Sequence, residues 1–197
     1  MNKKLIGITM RFDKFFGGKE TRNAVDFKLI DWVYCLGYTP YLIPNNIKQI
    51  KIIKLLNLKG IIISGGNDIN IESTRNNMEI KILHYSKVKK LPILGICHGM
   101  QIMNKFEEGS VKKKKNHVNK KHQLINKEAK YPKKVNSYHN FSIYKLGKNF
   151  EILSTSVDGE IEAIKHKKYK WLGWMWHPER DKIFDKKLIS IAKKMFN

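Results

Sequence analysis

Short apolar runs alternate with amphipathic stretches through the first half of the chain. The apolar runs, rich in isoleucine and leucine, cover residues 5–9, 39–43, 60–63 and 92–96. Apolar positions recur at helical spacing between them, at 24–36, 47–56, 78–89 and from just after Cys97. Continuous apolar strands separated by helices are typical of a parallel sheet with right-handed crossovers and both faces covered. The pattern therefore predicts an α/β layered fold.

The second half of the chain has a different pattern. Residues 112–134 carry ten lysines against Glu128 alone and show no clear period, which predicts a solvated loop region. The alternating runs EILSTS, EIEAIK and WLGWM, within 151–175, predict a small antiparallel extension of the sheet. Residues 184–196 predict a closing helix, whose core-facing stripe is Phe184, Leu188, Ile191, Ala192 and Met195.

Length and composition are those of one globular domain spanning residues 1–197. With 42% hydrophobic residues, the chain is long enough to bury a core without a disulfide or a metal. Cys35 and Cys97 are too few for a disulfide framework, and Cys35, on an apolar helix face, is predicted to be a core residue. No window approaches a membrane span, and the N-terminal run resembles a first strand more than a signal peptide. We therefore expect a cytoplasmic protein without a membrane partner.

The formal net charge of +22 raises nucleic acid as a partner. Only four of the 39 basic residues are arginine, however, and specific phosphate and base recognition relies strongly on the arginine fork. No basic strand with interleaved aromatic residues and no recognition-helix pattern accompanies the charge. A basic nucleic-acid-binding protein is therefore kept as the non-enzymatic alternative. The lysines are explained either by a biased composition or by an anionic substrate.

The stretch LGICHGMQIM, residues 94–103, places Cys97 where an apolar run stops and an amphipathic run starts. Gly95 and Gly99 frame it in a G-x-C-x-G pattern, the thiol version of the nucleophile elbow. The following helix would direct its amide end at the sulfur, which favours the thiolate. A lone cysteine after an apolar strand is usually a core residue, and the two glycines are what favour a nucleophile over that alternative.

Two further motifs supply partners for a thiolate. In GWMWHPER, His177 follows an aromatic strand, and Glu179 lies within reach of its imidazole as an orienting carboxylate. In IIISGGNDI, residues 61–69, adjacent glycines follow a buried strand and free a backbone N–H for an oxyanion. Each motif alone has an ordinary structural explanation. Together they predict a site built on Cys97, His177 and Glu179.

Two of the remaining histidines are conceivable metal ligands. His117 and His122 lie in the lysine-rich segment, without a carboxylate or cysteine at ligand spacing. We therefore predict that they are solvated loop histidines, and we expect neither a metal nor a cofactor.

Three motifs carry a family resemblance: GICHGMQ, SGGND and HPE resemble the triad-type, class I glutamine amidotransferases. GITMR at the first strand and VNSYHN, residues 135–140, are similar to the γ-glutamyl hydrolase group within that superfamily. The resemblance runs from Gly7 to Glu179. It implies a flavodoxin-like three-layer sandwich with a mostly parallel central sheet.

The resemblance also implies roles for individual residues. Cys97 attacks the γ-carbonyl of a glutamyl group, His177 shuttles protons and Glu179 orients His177. Gly66 and His98 supply the oxyanion amides. The residues expected to bind the substrate are Gln101, which helps hold the glutamyl group, Asn136, Ser137, Tyr138 and His139, which line the glutamate pocket, and Arg11, which matches an arginine near the site.

The resemblance leaves the leaving group open. Asn140 stands where the relatives often have glutamine, and the chain is shorter than typical hydrolases of the group, so the acceptor side is the uncertain part. We favour a CDP-linked γ-glutamyl phosphoramidate, of the kind cleaved during capsule modification. The reason is that the lysines of 112–134 could border the leaving-group side of the site and attract a diphosphate. The alternatives are γ-glutamyl amines such as γ-glutamyl-γ-aminobutyrate, or a glutaminase subunit that feeds ammonia to a separate synthase. A homodimer or such a synthase are the protein partners to consider.

Overall fold

The computed structural model describes residues 4–69 and 73–197, which contain thirteen strands and five helices. The strands are β1 Leu5–Thr9, β2 Arg11–Phe15, β3 Glu20–Ala24, β4 Thr39–Ile43, β5 Leu58–Ile63, β6 Ile93–Ile96, β7 Ser110–Lys113, β8 Val118–Asn126, β9 Lys134–Tyr138, β10 Phe141–Lys145, β11 Phe150–Ser156, β12 Ile161–His166 and β13 Trp171–Trp174. The helices are α1 Phe27–Cys35, α2 Gln49–Leu55, α3 Ser73–Lys89, α4 His98–Phe106 and α5 Lys186–Phe196.

Nine strands form one mixed sheet in the order β4-β1-β5-β6-β13-β12-β11-β8-β9. The first five of these are parallel, and β12, β11, β8 and β9 continue the sheet in antiparallel fashion. The predicted α/β fold, its four apolar strands and the meander of β11, β12 and β13 are therefore confirmed. β2 and β3 form a separate hairpin that the sequence pattern did not predict.

Helices cover both faces of the parallel half, as expected for strands that are apolar on both sides. One core joins the sheet to α1 and α5 through Ile62, Trp32 and Leu188. The other joins it to α2, α3 and α4 through Ile61, Ile53, Ile82 and Met103. None of the helices in the described part of the chain is both long enough and apolar enough to span a membrane.

Two expectations about secondary structure and exposure are wrong. Residues 112–134 are not a loop region, because they include part of β7 and all of β8, which pairs with β9 and β11. Only residues 122–126 of β8 alternate between half-buried and exposed. This alternating stretch is too short to be recognised as a strand among the lysines. Cys35 is exposed at the end of α1, whose buried face carries Leu29, Trp32 and Val33.

The closing helix was predicted correctly, with a shift of its buried face. Asp185 caps α5 by accepting a hydrogen bond from Lys187 N at 2.7 Å, so Phe184 precedes the helix. The fully buried positions are Leu188, Ala192 and Phe196. Phe196 packs edge-on against Tyr38, with ring centroids 6.0 Å apart. The C-terminal end of the chain is thereby held against the first half of the sheet.

Candidate active site

Cys97 occupies a sharp turn between β6 and α4. Its φ of 50° and ψ of −102° lie outside the regions that a residue with a side chain prefers. A Cβ on Gly99 would overlap the carbonyl oxygen of Ile63, and one on Gly95 would overlap the backbone of Gly99. The flanking glycines therefore let α4 approach the sheet closely while the turn projects the thiol, which is the local geometry predicted from G-x-C-x-G.

The neighbouring strand β13 brings His177 to this turn. Trp174, the last residue of β13, pairs with Ile96 and accepts a hydrogen bond from Cys97 N at 2.7 Å. His177 follows three residues later, is 2% exposed, and lines the same cavity as Cys97. Two adjacent parallel strands thus join a thiol and an imidazole that lie far apart in sequence.

Glu179 completes this group of side chains from a short 3-10 turn, Pro178–Arg180. Its Oε1 lies 2.6 Å from Nδ1 of His177, and the carboxylate is 3% exposed. Burial disfavours the charged imidazole, but the negative charge of Glu179 and the contact with Cys97 outweigh it and raise the pKa of His177 to about 9. The pair therefore favours a protonated ring beside the sulfur.

The two oxyanion positions predicted from sequence, Gly66 and His98, line the same cavity as Cys97. Gly66 has φ of +86°, in the region where glycine is favoured, and it opens the loop after β5. His98 begins α4, directly after Cys97. Gly65 has no room for a side chain, since a Cβ there would overlap Cε1 of His177. The glycine pair thus brings the loop backbone against the imidazole.

A buried arginine holds this loop, and sequence reasoning missed it. Arg75, on α3, is 0% exposed and donates from Nη2 to the carbonyl oxygen of Ser64 at 2.6 Å. Its Nη1 donates to the carbonyl oxygens of Gly65 and Gly66. Nε donates to Oε1 of Glu79 at 2.9 Å, one helical turn further on. The i,i+4 spacing is the only sequence signal of this pair, and it is common on solvated helices.

Glu79 connects the loop to the elbow. Its Oε1 accepts from Thr9 Oγ1 at 2.8 Å, and its Oε2 lies 2.7 Å from Nε2 of His98. The other ring nitrogen of His98 lies 3.1 Å from the carbonyl oxygen of Asn67. Burial alone would raise the pKa of Glu79, but the charge of Arg75 and the hydrogen bonds of Arg75 and His98 lower it to about 2. Loop and elbow are thus fixed to one buried carboxylate.

A cavity of about 370 Å³ opens at Cys97. Seven of the residues singled out from sequence line it: Gly66, Cys97, His98, Gln101, Tyr138, His139 and His177. Gln101 donates from Nε2 to the carbonyl oxygen of Phe141 at 3.1 Å. Asp68 and Arg180 also line the cavity, and the guanidinium of Arg180 lies 4.7 Å above the ring of Tyr138. The cavity therefore offers both a carboxylate and a guanidinium near the thiol.

Asn136 and Ser137 lie behind the site and do not line this cavity. The Asn136 amide nitrogen donates to the carbonyl oxygen of His177 at 2.7 Å and to Oδ1 of Asp181 at 3.0 Å. Its oxygen accepts from His177 N at 2.9 Å. Ser137 Oγ donates to the carbonyl oxygen of His117 at 2.5 Å. Both residues are buried and support the walls of the site.

Arg11 lies at an adjoining cavity of about 250 Å³, which His177, Glu179 and Arg180 also line. Its side chain is 45% exposed, and Nε donates to Oδ1 of Asp13 at 2.7 Å. The expectation that lysines of 112–134 border the site is not met, since no described residue lining either cavity is a lysine. Lys114 is instead paired with Glu160 at 2.8 Å.

His117 and His122 are not solvated loop histidines, so that prediction is wrong. His117 is 2% exposed, and the two rings pack with centroids 4.2 Å apart. His122 lies on β8 and His117 directly precedes this strand, and both rings contact that of His139, which follows β9; a sequence rich in lysine does not indicate this.

Residues 22–189 match the sequence profile of the family described as glutamine amidotransferase class-I. The chain belongs to this family. It is 35% identical over 146 residues to the γ-glutamyl-CDP-amidate hydrolase of Campylobacter jejuni subsp. jejuni, covering 71% of this chain and 70% of the relative. It is 34% identical over 145 residues to a subunit of the glutamine-hydrolysing GMP synthase of Methanococcus aeolicus, covering 70% of this chain and 73% of the relative.

Solved structures of the glutamine amidotransferase family share the fold. A GMP synthase subunit protein of Thermoplasma acidophilum superposes with a TM-score of 0.77 at 21% identity, covering 100% of this chain and 94% of that one. A glutamine amidotransferase of Thermotoga maritima superposes with a TM-score of 0.67 at 17% identity, covering 98% of this chain and 84% of that one. Family membership supports a hydrolase of the glutamine amidotransferase type with a small-molecule substrate.

Proposed function

We propose that the protein is a cysteine-dependent hydrolase that cleaves a γ-glutamyl amide bond and releases L-glutamate. One observation carries the proposal: Cys97, at a strand-to-helix turn, lines one cavity with His177, whose Nδ1 lies 2.6 Å from Oε1 of Glu179. A nucleophile, a base and an orienting carboxylate in this sequence of contacts make up a catalytic triad.

In the first step the Cys97 thiolate attacks the γ-carbonyl carbon. The oxyanion that forms accepts hydrogen bonds from the backbone N–H groups of Gly66 and His98, and each donor is worth on the order of 3 kcal/mol in the barrier. Protonated His177 gives its proton to the departing nitrogen as the C–N bond breaks. A γ-glutamyl thioester and the free amine or amidate result.

In the second step His177, now neutral, takes a proton from water as the oxygen attacks the thioester carbonyl. The C–S bond breaks, glutamate leaves and the sulfur recovers its negative charge beside the protonated ring. Glu179 keeps the imidazole in the tautomer that both steps require. No cofactor takes part in this scheme.

The cavity residues support recognition of a glutamyl group. The guanidinium of Arg180 suits the α-carboxylate, and Asp68 suits the α-ammonium group. Gln101, Tyr138 and His139 line the wall that the glutamyl chain would contact. These charges favour a free amino acid end over a peptide, in which one or both groups are blocked.

For the leaving group we propose a CDP-linked phosphoramidate, so that the products are glutamate and cytidine diphosphoramidate and the pathway is capsule modification. The 35% identity to the γ-glutamyl-CDP-amidate hydrolase supports this choice. The half-exposed Arg11 beside His177 supplies a cation for the diphosphate. A cytoplasmic location suits a catalytic free thiol, because reducing conditions keep it unoxidised.

The test compares glutamate release from γ-glutamyl-CDP-amidate, γ-glutamyl-γ-aminobutyrate and glutamine by the wild-type and Cys97→Ala proteins. We expect Cys97-dependent release that is fastest with the nucleotide. Arg11→Gln should raise KM for the nucleotide alone, whereas the matched control Arg22→Gln, at an exposed ion pair with Glu20, should not. Faster glutamate release from γ-glutamyl-γ-aminobutyrate than from the nucleotide would indicate that the natural leaving group is a simple amine. No Cys97-dependent release from any of the three would reject the hydrolase.

A glutaminase subunit is the second candidate, and the 34% identity to a GMP synthase subunit favours it. It predicts slow hydrolysis of glutamine alone and stimulation by a separate synthase partner. The nucleic-acid-binding alternative has only the net charge of +22 in its support. It predicts an affinity for RNA or DNA that falls steeply with salt, which a filter-binding titration measures.

A further inference from the structure

Three histidines and a glutamate meet inside the antiparallel half of the sheet. His117 precedes β8, His122 lies on β8, His139 follows β9 and Glu162 lies on β12. One candidate ligand atom from each residue lies within 4.8 Å of those of the other three. His117, His139 and Glu162 are each at most 2% exposed, and His122 is partly buried. The triad proposed above uses none of these four side chains for chemistry.

Hydrogen bonds at the outer ring nitrogens orient two of the histidines. His139 Nδ1 lies 3.0 Å from the carbonyl oxygen of Phe141, which only accepts, so this nitrogen carries the proton. His117 Nε2 lies 2.8 Å from Oδ2 of Asp158, where the same reasoning places a proton on Nε2. In neutral rings the inner nitrogens, His117 Nδ1 and His139 Nε2, therefore both present lone pairs. These two atoms face each other at 3.3 Å.

The other two members also carry unsatisfied polar atoms. Neither carboxylate oxygen of Glu162, a 0% exposed residue, has a hydrogen-bond partner among the described residues, and Nε2 of His122 is likewise buried without one. His139 Nε2 approaches Oε1 of Glu162 to 3.5 Å. A buried carboxylate without a partner is costly, so the cluster needs a cation.

We propose that His117, His122, His139 and Glu162 bind a divalent transition-metal ion, with Zn²⁺ as the expected occupant. Tetrahedral Zn²⁺ with bonds of about 2.0–2.1 Å keeps its ligand atoms about 3.3–3.4 Å apart. The separations of 3.3 and 3.5 Å around His139 match this spacing. Imidazole ligands select Zn²⁺ over Mg²⁺ and Ca²⁺, which prefer oxygen.

The surroundings also fit a metal centre. Metal-bound histidines usually donate their second ring N–H to a carboxylate or a carbonyl, which Asp158 and the Phe141 carbonyl provide here. Four protein ligands close the coordination shell, so the ion is structural and joins the β8–β9 pair to β12. Because His139 also lines the cavity at Cys97, the ion fixes one wall of the candidate active site.

The full-length protein is stripped with a chelator, titrated with Zn²⁺ and desalted, and bound zinc is measured by mass spectrometry. We expect about one ion per chain, an upward shift in Tm, and an X-ray absorption spectrum with nitrogen and oxygen neighbours but no sulfur. Sulfur in the first shell would place the ion at a cysteine and overturn the proposal. So would failure of the stripped wild-type protein to retain zinc, which leaves a proton shared between the histidines as the explanation.

Variants assign the ion to the cluster. His122→Gln and Glu162→Gln should each abolish stoichiometric zinc retention and the zinc-dependent Tm shift. The matched control His84→Gln, at an exposed histidine outside the cluster, should keep both. Far-UV circular dichroism of the stripped proteins checks that each variant is folded. Unchanged zinc retention in folded His122→Gln and Glu162→Gln proteins would overturn the assignment, and the wild-type measurements decide the matter if a variant does not fold.

Discussion

Asn136 hydrogen-bonds both main-chain polar groups of His177, donating to its carbonyl oxygen at 2.7 Å and accepting from its N–H at 2.9 Å. The motif VNSYHN thus acts on the histidine that follows β13, some forty residues later in the sequence. These two hydrogen bonds hold the main chain of His177, whose side chain lines the same cavity as Cys97. A residue expected to contact substrate therefore positions the main chain of the histidine that we propose as the base.

Asn136→Ala should lower kcat and leave KM nearly unchanged. The change leaves the buried N–H of His177 without its partner, whereas the carbonyl oxygen keeps the hydrogen bond from Arg180 N at 3.1 Å, so we also expect destabilisation of about 1–3 kcal/mol. Steady-state kinetics and urea unfolding measure both effects. Asn136→Asp should not restore activity, because a carboxylate cannot donate to the His177 carbonyl. An increase in KM at constant kcat would instead indicate a direct substrate contact.

Replacing Cys97 by glycine should give a more stable protein than replacing it by alanine, by about 1 kcal/mol, because only alanine keeps the strain of a positive φ. Both variants should be inactive. Cys35, at the end of α1, is the matched control, where glycine should be less stable than alanine by up to about 1 kcal/mol. The same order at both cysteines, measured by urea unfolding, would mean that the elbow is not strained.

Stability should depend on pH through His177. Its pKa is raised to about 9 in the folded protein, against about 6.5 for an unfolded histidine. A raised pKa means that protonation stabilises the fold: the contribution is complete below about pH 6.5 and is lost as the pH rises through about 9. The free energy of unfolding should therefore fall across this window by on the order of 3 kcal/mol. Urea unfolding of the wild-type and His177→Gln proteins measures this, and parallel pH profiles would contradict it.

Breaking the buried pair of Arg75 and Glu79 should destabilise the protein strongly. Glu79→Gln leaves the guanidinium of a 0% exposed arginine without its counter-charge, which costs about 3–5 kcal/mol. The double variant with Arg75→Met should be less destabilised than the sum of the single variants. Glu20→Gln is the control, because its exposed pair with Arg22 is worth at most about 1 kcal/mol. Additive effects of Arg75→Met and Glu79→Gln would show that the pair is not coupled.

The parts of the molecule that the sequence predicted well depend on local patterns. Buried strands such as β1 and β6 are apolar on both faces, so their runs are continuous and easy to recognise. The elbow at Cys97 was predictable for a similar reason, since the glycines that permit the turn lie two positions away on either side.

What sequence reasoning missed depends on contacts between distant segments. Arg75 has no motif, and its function follows only from the packing of α3 against the loop after β5. The inward position of His117 depends on the pairing of β8, a strand whose lysines hide its alternation. The orientation of Asn136 toward the main chain of His177 likewise needs β9 and β13 to be in place.

The sheet order determines when the candidate active site can assemble during translation. β13 is the last strand in the described chain, yet it lies in the interior of the sheet between β6 and β12. The elbow can fold early, because β6 and α4 are consecutive, whereas His177 reaches Cys97 only when β13 inserts. A nascent chain therefore carries Cys97 without His177 beside it until the residues of β13 have been synthesised and inserted. Under the proposed mechanism, Cys97 would therefore lack its base until this strand has been inserted.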